Sequence, residues 1–135
     1  MIFSFFLFSK EINYGEIKIS KLISIYDGDT FKVDIDEYPP IIGKNISIRI
    51  AKIDTPEITS KESEIKIKAY QAKIFTKNFL EKGNIIILKN MKRDKYFRIV
   101  ADVIVDGKDL GEELIKKKLA LPYDGNKKPN WIFFN

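Results

Sequence analysis

The sequence contains neither cysteine nor histidine, and these two absences remove whole classes of chemistry. Without thiols there is no disulfide, no thiolate nucleophile and no cysteine-bound zinc or iron–sulfur centre; without imidazole there is no histidine base or ligand. Catalysis is left to carboxylates, lysine, arginine, tyrosine or hydroxyl groups. Any metal site has to be built from oxygen, which favours Ca²⁺ or Mg²⁺. No apolar run is long enough to cross a bilayer, so no stable membrane insertion of the domain is expected. The missing cysteines leave the compartment open, since a cytosolic protein and a disulfide-free secreted one would both comply.

What is present describes a soluble globular chain. Its 135 residues are one domain's worth, and short alternating apolar runs argue against disorder. Lys and Arg outnumber Asp and Glu by 24 to 19, with a pI near 9.2. That balance points to an anionic partner such as nucleic acid or a phosphorylated ligand, the plain alternative being a solvated lysine-rich surface.

The chain is organised around Ile48–Glu57. Ile46, Ile48 and Ile50 alternate with Ser47, Arg49 and Ala51, the period of a strand with one buried face, so Arg49 projects from the opposite side. Pro56 stops the ladder and leaves Asp54 and Glu57 where the chain must turn into a loop. Upstream, Met1–Ser9 is apolar without alternation. Residues 1–15 read as an N-terminal apolar segment, either an export-signal remnant or a packed segment, with export slightly favoured over the cytoplasm. Residues 16–135 read as the domain. Glu16–Tyr26 and Thr30–Ile35 read as a hairpin about Asp27-Gly28, and Asp36–Gly43, with Pro39 and Pro40, as a loop.

Glu62–Lys82 reads as a helix with Ile65, Ala69, Ala72, Phe75 and Phe79 on its inner stripe, stopped by Gly83. Asn84–Leu88 is a short strand, Lys89–Lys95 a basic loop and Tyr96–Val105 another strand, with a turn at Asp106-Gly107. Asp109 caps a second helix, Glu112 standing three residues on, with Leu110, Leu114 and Ile115 facing inward. The tail from Leu121 is irregular, and Trp131, Phe133 and Phe134 are expected to pack. The pattern fits a β-rich α+β fold: a five-stranded sheet curled into an oligonucleotide-binding (OB-fold) barrel with two or three packed helices.

Three stretches carry polar residues that such a core does not need: D-G-D-T (Asp27–Thr30), R-I-A-K-I-D-T-P-E (Arg49–Glu57) and D-K-Y-F-R (Asp94–Arg98). Asp29 starts one strand and Asp54 ends another; were those strands antiparallel neighbours, the two carboxylates and a backbone carbonyl would form a partial site for a hard cation. Taken alone, each aspartate is more often a turn residue. Two arginines and a cation suit phosphoryl transfer, because guanidinium forks and a divalent ion neutralise the non-bridging oxygens of a five-coordinate phosphorus. Glu57 would then orient or deprotonate the attacking water.

In this order the three stretches, followed by G-K-D-L-x-E-E-L and L-A-L-P-Y-D-G, closely resemble the staphylococcal nuclease (thermonuclease) family from about Lys18 to Asp124. The resemblance implies Ca²⁺-dependent hydrolysis of DNA and RNA phosphodiesters, leaving a 3′-phosphate and a 5′-hydroxyl. It implies that Asp29, Asp54 and the Thr55 carbonyl hold Ca²⁺, that Arg49 and Arg98 stabilise the phosphate, and that Glu57 acts on the water. Lys95, Tyr96 and Tyr123 are candidates for phosphate contact and base stacking, the bland reading being a solvated lysine and two packed tyrosines. A monomer acting preferentially on single strands is expected. Phe97 departs from the pattern, since the family usually has glycine before the second arginine, and an altered approach of Arg98 is expected. The alternative is a non-catalytic OB-fold module binding nucleic acid or protein.

Overall fold

The computed structural model describes residues 11–131; the apolar opening Met1–Ser9 and Phe133 and Phe134 lie outside them. Nine strands and three helices follow in chain order among the described residues: β1 (Ile17–Lys18), β2 (Lys21–Asp27), β3 (Thr30–Asp34), α1 (Pro40–Gly43), β4 (Ile46–Ile50), β5 (Ile53–Asp54), α2 (Ser63–Lys82), β6 (Ile86–Arg93), β7 (Ile99–Val105), β8 (Lys108–Asp109), α3 (Leu110–Lys116) and β9 (Leu121–Pro122). The main sheet has the order β1-β6-β7-β4-β3-β2, with β8 on β7, while β5 and β9 form a separate ribbon. All pairings are antiparallel except β4 with β7.

One bend closes this sheet. Ile19 donates its N–H to the Ile86 carbonyl at 3.0 Å, and the next residue, Ser20, donates to the Asp34 carbonyl at 2.8 Å. The chain thus leaves β6 and joins β3 within two residues, so β1 and β2 act as one bent strand of a five-stranded barrel. The interior follows from strict alternation. Phe31 and Val33, Ile46, Ile48 and Ile50, and Ala101, Val103 and Val105 all point inward and are buried; α3 adds Leu110 and Leu114 to the same core.

Differences from the sequence pattern have local causes. β6 continues to Arg93, where a basic loop is expected, because a bulge between Lys89 and Lys92, with Asn90 at φ +52°, resets the alternation and turns Met91 inward. The face of α2 is rotated relative to the expected stripe. Ala69, Ala72, Thr76 and Leu80 are buried, and Phe75 and Phe79 stack beside them, centroids 5.8 Å apart. Ile115 is exposed, since the seven-residue α3 buries Leu110, Gly111 and Leu114 instead. Asp109 caps α3 as its sequence suggests, accepting the Glu112 N–H at 3.0 Å. None of the helices among the described residues is long and apolar enough to cross a membrane.

The rotation of α2 serves the D-G-D-T turn. Thr76 donates its hydroxyl to the Gly28 carbonyl at 2.7 Å in the interior. A Cβ on Gly28 would stand 2.7 Å from the Ala72 Cβ and 3.0 Å from the Thr55 Cγ2, so only glycine lets helix and turn approach this closely. The helix thereby fixes the residue that follows, Asp29.

Candidate active site

Strand register brings the first two functional groups together. Thr30 pairs with Arg49 across β3 and β4, and Ile50 donates its N–H to the Asp29 carbonyl at 2.9 Å, so the start of one strand is bonded to the end of the next. Lys52 at φ +69° then reverses the chain, and β5 returns Asp54 to the same point, held there by the pairing of Asp54 with Leu121. Arg49 Nη2 lies 3.3 Å from Asp29 Oδ2 and 3.4 Å from Asp54 Oδ1. Its Nη1 donates to the Ile50 carbonyl at 2.8 Å. Arg49, Asp29 and Asp54 are 8%, 5% and 2% exposed, which puts an interlocked ion triad at the protein interior.

Asp29 is the most heavily bonded member. Oδ2 accepts the Thr55 N–H at 3.1 Å and Oδ1 accepts the Thr30 hydroxyl at 3.0 Å. Burial pushes its pKa up, but the Arg49 charge and these bonds outweigh it and hold the carboxyl below its ordinary value. Asp27 goes the other way. Burial, then its hydrogen bond with Asp29 and the charge of that residue, push it to about 7. Asp54 is raised too, burial outweighing the Trp131 hydrogen bond and the neighbouring cations.

The Asp27 shift has a signed consequence. Folded Asp27 keeps its proton to about pH 7, while the unfolded carboxyl loses it near 3.8. The stability it contributes is whole below about pH 4, declines as the pH rises towards 7 and is level above that. Asp29, being lowered, contributes stability above the ordinary carboxylate range and loses it only as the pH falls below it. We predict that Asp27→Asn removes the decline between about pH 4 and 7, gaining on the order of 2 kcal/mol over wild type at pH 8. Urea unfolding in EDTA at pH 5 and pH 8 measures it; equal pH dependence in both proteins refutes it.

Glu57 lies outside the buried triad with its side chain half-exposed, and it is joined to the triad by a residue of the tail. Lys128 Nζ is 2.9 Å from Glu57 Oε1 and 3.6 Å from Asp54 Oδ1, and the Trp131 indole N–H donates to Asp54 Oδ2 at 3.1 Å. Nothing in the sequence singled out Lys128, a lysine in an irregular tail, or gave Trp131 more than a packing role. Asp27 was legible as part of D-G-D but not as a partner of Asp29.

The structure gathers Asp29, Arg49, Asp54 and Thr55, with Glu57 beside them; Arg98 belongs to a second cluster. Its Nε donates to Asp94 Oδ2 at 2.8 Å, its only ion pair among the described residues. Asp94 also accepts the N–H groups of Tyr96 and Arg98, at 2.9 and 3.0 Å. The Arg98 guanidinium and the Lys95 ammonium each stand 5.2 Å from the centre of the Tyr96 ring, which is 65% exposed. Val100 pairs with Arg49 across β4 and β7, so Arg98, two residues earlier, continues the face that carries Arg49. Tyr123 is half-buried and its N–H bonds the Lys52 carbonyl at 2.8 Å.

Phe97 sits at φ +59° with Arg93 5.9 Å over its ring. A bulky residue in the left-handed region costs roughly 1–2 kcal/mol, more than an exposed cation–π contact returns. Phe97→Gly is expected to raise stability by roughly 0.5–1 kcal/mol. A lower urea midpoint for the variant would show that the stacked pair outweighs the backbone.

All donors at the triad are oxygen, as a hard cation requires. Asp29 and Asp54 present oxygens to a common point, since one guanidinium nitrogen reaches both, and the buried Thr55 Oγ1 has no hydrogen-bond partner. No group of three or more acidic side chains gathers in metal-binding array among the described residues. Two carboxylates, Asp29 and Asp54, are therefore the acidic groups available to a cation here, with Thr55 next to them in the chain.

Comparison with known proteins shows what the chain is similar to. The profile of the family described as staphylococcal nuclease homologue matches residues 47–131. The chain is 35% identical over 96 residues to Endonuclease YncB of Bacillus subtilis, covering 70% of this chain and 43% of that protein. It is 35% identical over 96 residues to the SPbeta prophage-derived endonuclease YokF of the same organism, covering 70% and 30%. With the Thermonuclease of Staphylococcus hyicus it shares 32% over 101 residues, 74% of this chain and 53% of that protein. The chain thus spans about half or less of the length of these relatives.

Proposed function

The chain belongs to the staphylococcal nuclease homologue family, and on that footing we propose that it is a Ca²⁺-dependent nuclease hydrolysing phosphodiester bonds of DNA and RNA with little sugar or sequence specificity. The observation that carries this reading is the Arg49 guanidinium fixed between Asp29 and Asp54, with Glu57 linked to Asp54 through Lys128. Held also by the Ile50 carbonyl, the guanidinium is kept at the site before substrate arrives, and it would turn Nη2 from the carboxylates to a non-bridging phosphate oxygen when a cation takes them. Ca²⁺ held by Asp29, Asp54 and the Thr55 carbonyl would supply further charge neutralisation at the phosphate.

Glu57 takes a proton from the attacking water. The water oxygen bonds to phosphorus, the bond from phosphorus to the 5′ oxygen breaks, the leaving oxygen takes a proton from solvent water and Glu57 returns its proton to solvent, giving 3′-phosphate and 5′-hydroxyl ends. Arg98 is the second phosphate ligand, and it has to exchange its bond to Asp94 for one to the substrate. Tyr96, exposed and flanked by two cations, suits stacking of an unpaired base next to a phosphate, which favours single strands; Lys95 and Tyr123 extend that surface. The protein acts as a monomer in this reading.

Arg98's commitment to Asp94 is the observation that favours a second reading, a non-catalytic OB-fold module that binds nucleic acid or protein. Incubation with single-stranded DNA and RNA in millimolar Ca²⁺ or in EDTA separates the two. Cleavage in Ca²⁺ alone is expected. Intact substrate under both conditions, with binding retained, would establish the module instead.

A further inference from the structure

The segment from Leu121 to Trp131 is a strap with both ends on one residue. At its start Leu121 pairs with Asp54 across β9 and β5, and Tyr123 bonds Lys52. A turn follows, in which Asp124 Oδ1 accepts the Asn126 N–H at 2.9 Å and Gly125 adopts φ +92°. At its end the buried Trp131 donates its indole N–H to Asp54, with the Lys68 ammonium of α2 5.9 Å over the ring. Between these anchors the strap carries Lys128 across to Glu57 and Asp54.

The consequence for Asp54 is full engagement. Its Oδ1 faces both Arg49 Nη2 and Lys128 Nζ, and its Oδ2 takes the indole N–H. A carboxylate placed to bind a hard cation thus already has two cations on it, Arg49 at the point shared with Asp29 and Lys128 on the side of Glu57, and the same ammonium lies on Glu57. The Lys128 side chain is 56% exposed, and lysine is a compact charge on a flexible stem rather than a locked fork, so it can leave without disturbing the strap.

We propose that Lys128 is a resident counter-ion of this site, occupying in the free protein the place beside Asp54 and Glu57 that a divalent cation needs, so that the strap competes with the metal. The inference rests on the Ca²⁺ reading above. Lys128 keeps the acidic groups paired when no metal is present, and it has to withdraw from Asp54 when one binds; each charge on the pair of carboxylates weakens the hold on the other.

The test is Ca²⁺ affinity by titration calorimetry, with melting temperatures in EDTA and in Ca²⁺, for wild type, Lys128→Met and Lys128→Arg. Lys128→Met is expected to bind Ca²⁺ about tenfold more tightly, to melt lower in EDTA and to gain more from Ca²⁺; Lys128→Arg, which keeps the charge, stays near wild type. If wild type binds Ca²⁺ and Lys128→Met binds it equally or more weakly, Lys128 merely braces the tail and the inference is overturned, while the Ca²⁺ reading stands. Failure of all three proteins to bind Ca²⁺ overturns both.

Discussion

Replacing Arg49 by alanine is expected to slow cleavage at least about a hundredfold and to destabilise the fold by roughly 3–5 kcal/mol, two losses with a single cause. Among the described residues the guanidinium is the only partner that touches both Asp29 and Asp54, and all three groups are under a tenth exposed. Removing it leaves two carboxylates facing each other in a buried site, the costly half of a broken ion pair. The reaction loses its preset positive charge at the same time, worth about 3 kcal/mol or more at the transition state. Arg49→Lys separates the two effects. An ammonium supplies the charge but cannot span both carboxylates while also donating to the Ile50 carbonyl, so much of the stability should return and little of the rate. Urea unfolding and turnover in saturating Ca²⁺ measure the pair; wild-type cleavage by Arg49→Ala would remove Arg49 from the mechanism.

Glu57→Gln should give the opposite combination: a rate roughly a hundredfold lower or worse, with stability changed by no more than about 0.5 kcal/mol. Glu57 is half-exposed, and its one ion pair among the described residues is with a solvent-facing lysine, so the fold depends little on it. The amide oxygen still accepts from Lys128, yet it cannot take up a proton at neutral pH. Turnover that survives this change intact would assign the water to another group.

These predictions depend on side chains whose meeting was partly legible in the sequence. Isoleucine alternation at Ile46, Ile48 and Ile50 placed Arg49 on the outer face, but Pro56 does not mark the end of that strand: β4 stops at Ile50 and the chain reverses at Lys52, φ +69°. That Asp29 meets Arg49 required antiparallel pairing of β3 with β4, a condition the sequence could state but not settle, while Asp54 arrives on a separate strand, β5, paired with β9, which the sequence did not show. The strap was illegible. Lys128 reaches Glu57, and Trp131 reaches Asp54, across some seventy residues of chain, through a loop without periodicity. The α2 stripe was legible at Ala69 and Ala72, but in its second half Thr76 and Leu80 are the buried residues, with Phe75 and Phe79 packed beside them, because Thr76, polar by composition, bonds Gly28 inside. At β6 a bulge broke the very alternation by which a strand is recognised.

The parallel contact of β4 with β7 bears on how the chain reaches this state. Ile48, Arg49 and Ile50 find their partners Ile99, Val100 and Ala101 only after α2 and the hairpin of β6 and β7 have been traversed. Such non-local pairing charges loop-closure entropy before any contact repays it, so refolding should be slow beside that of a helical bundle of equal size. Barrel closure and assembly of Asp29, Arg49 and Asp54 into one cluster then coincide, and a collapsed intermediate rich in local helix and hairpin would lack that cluster.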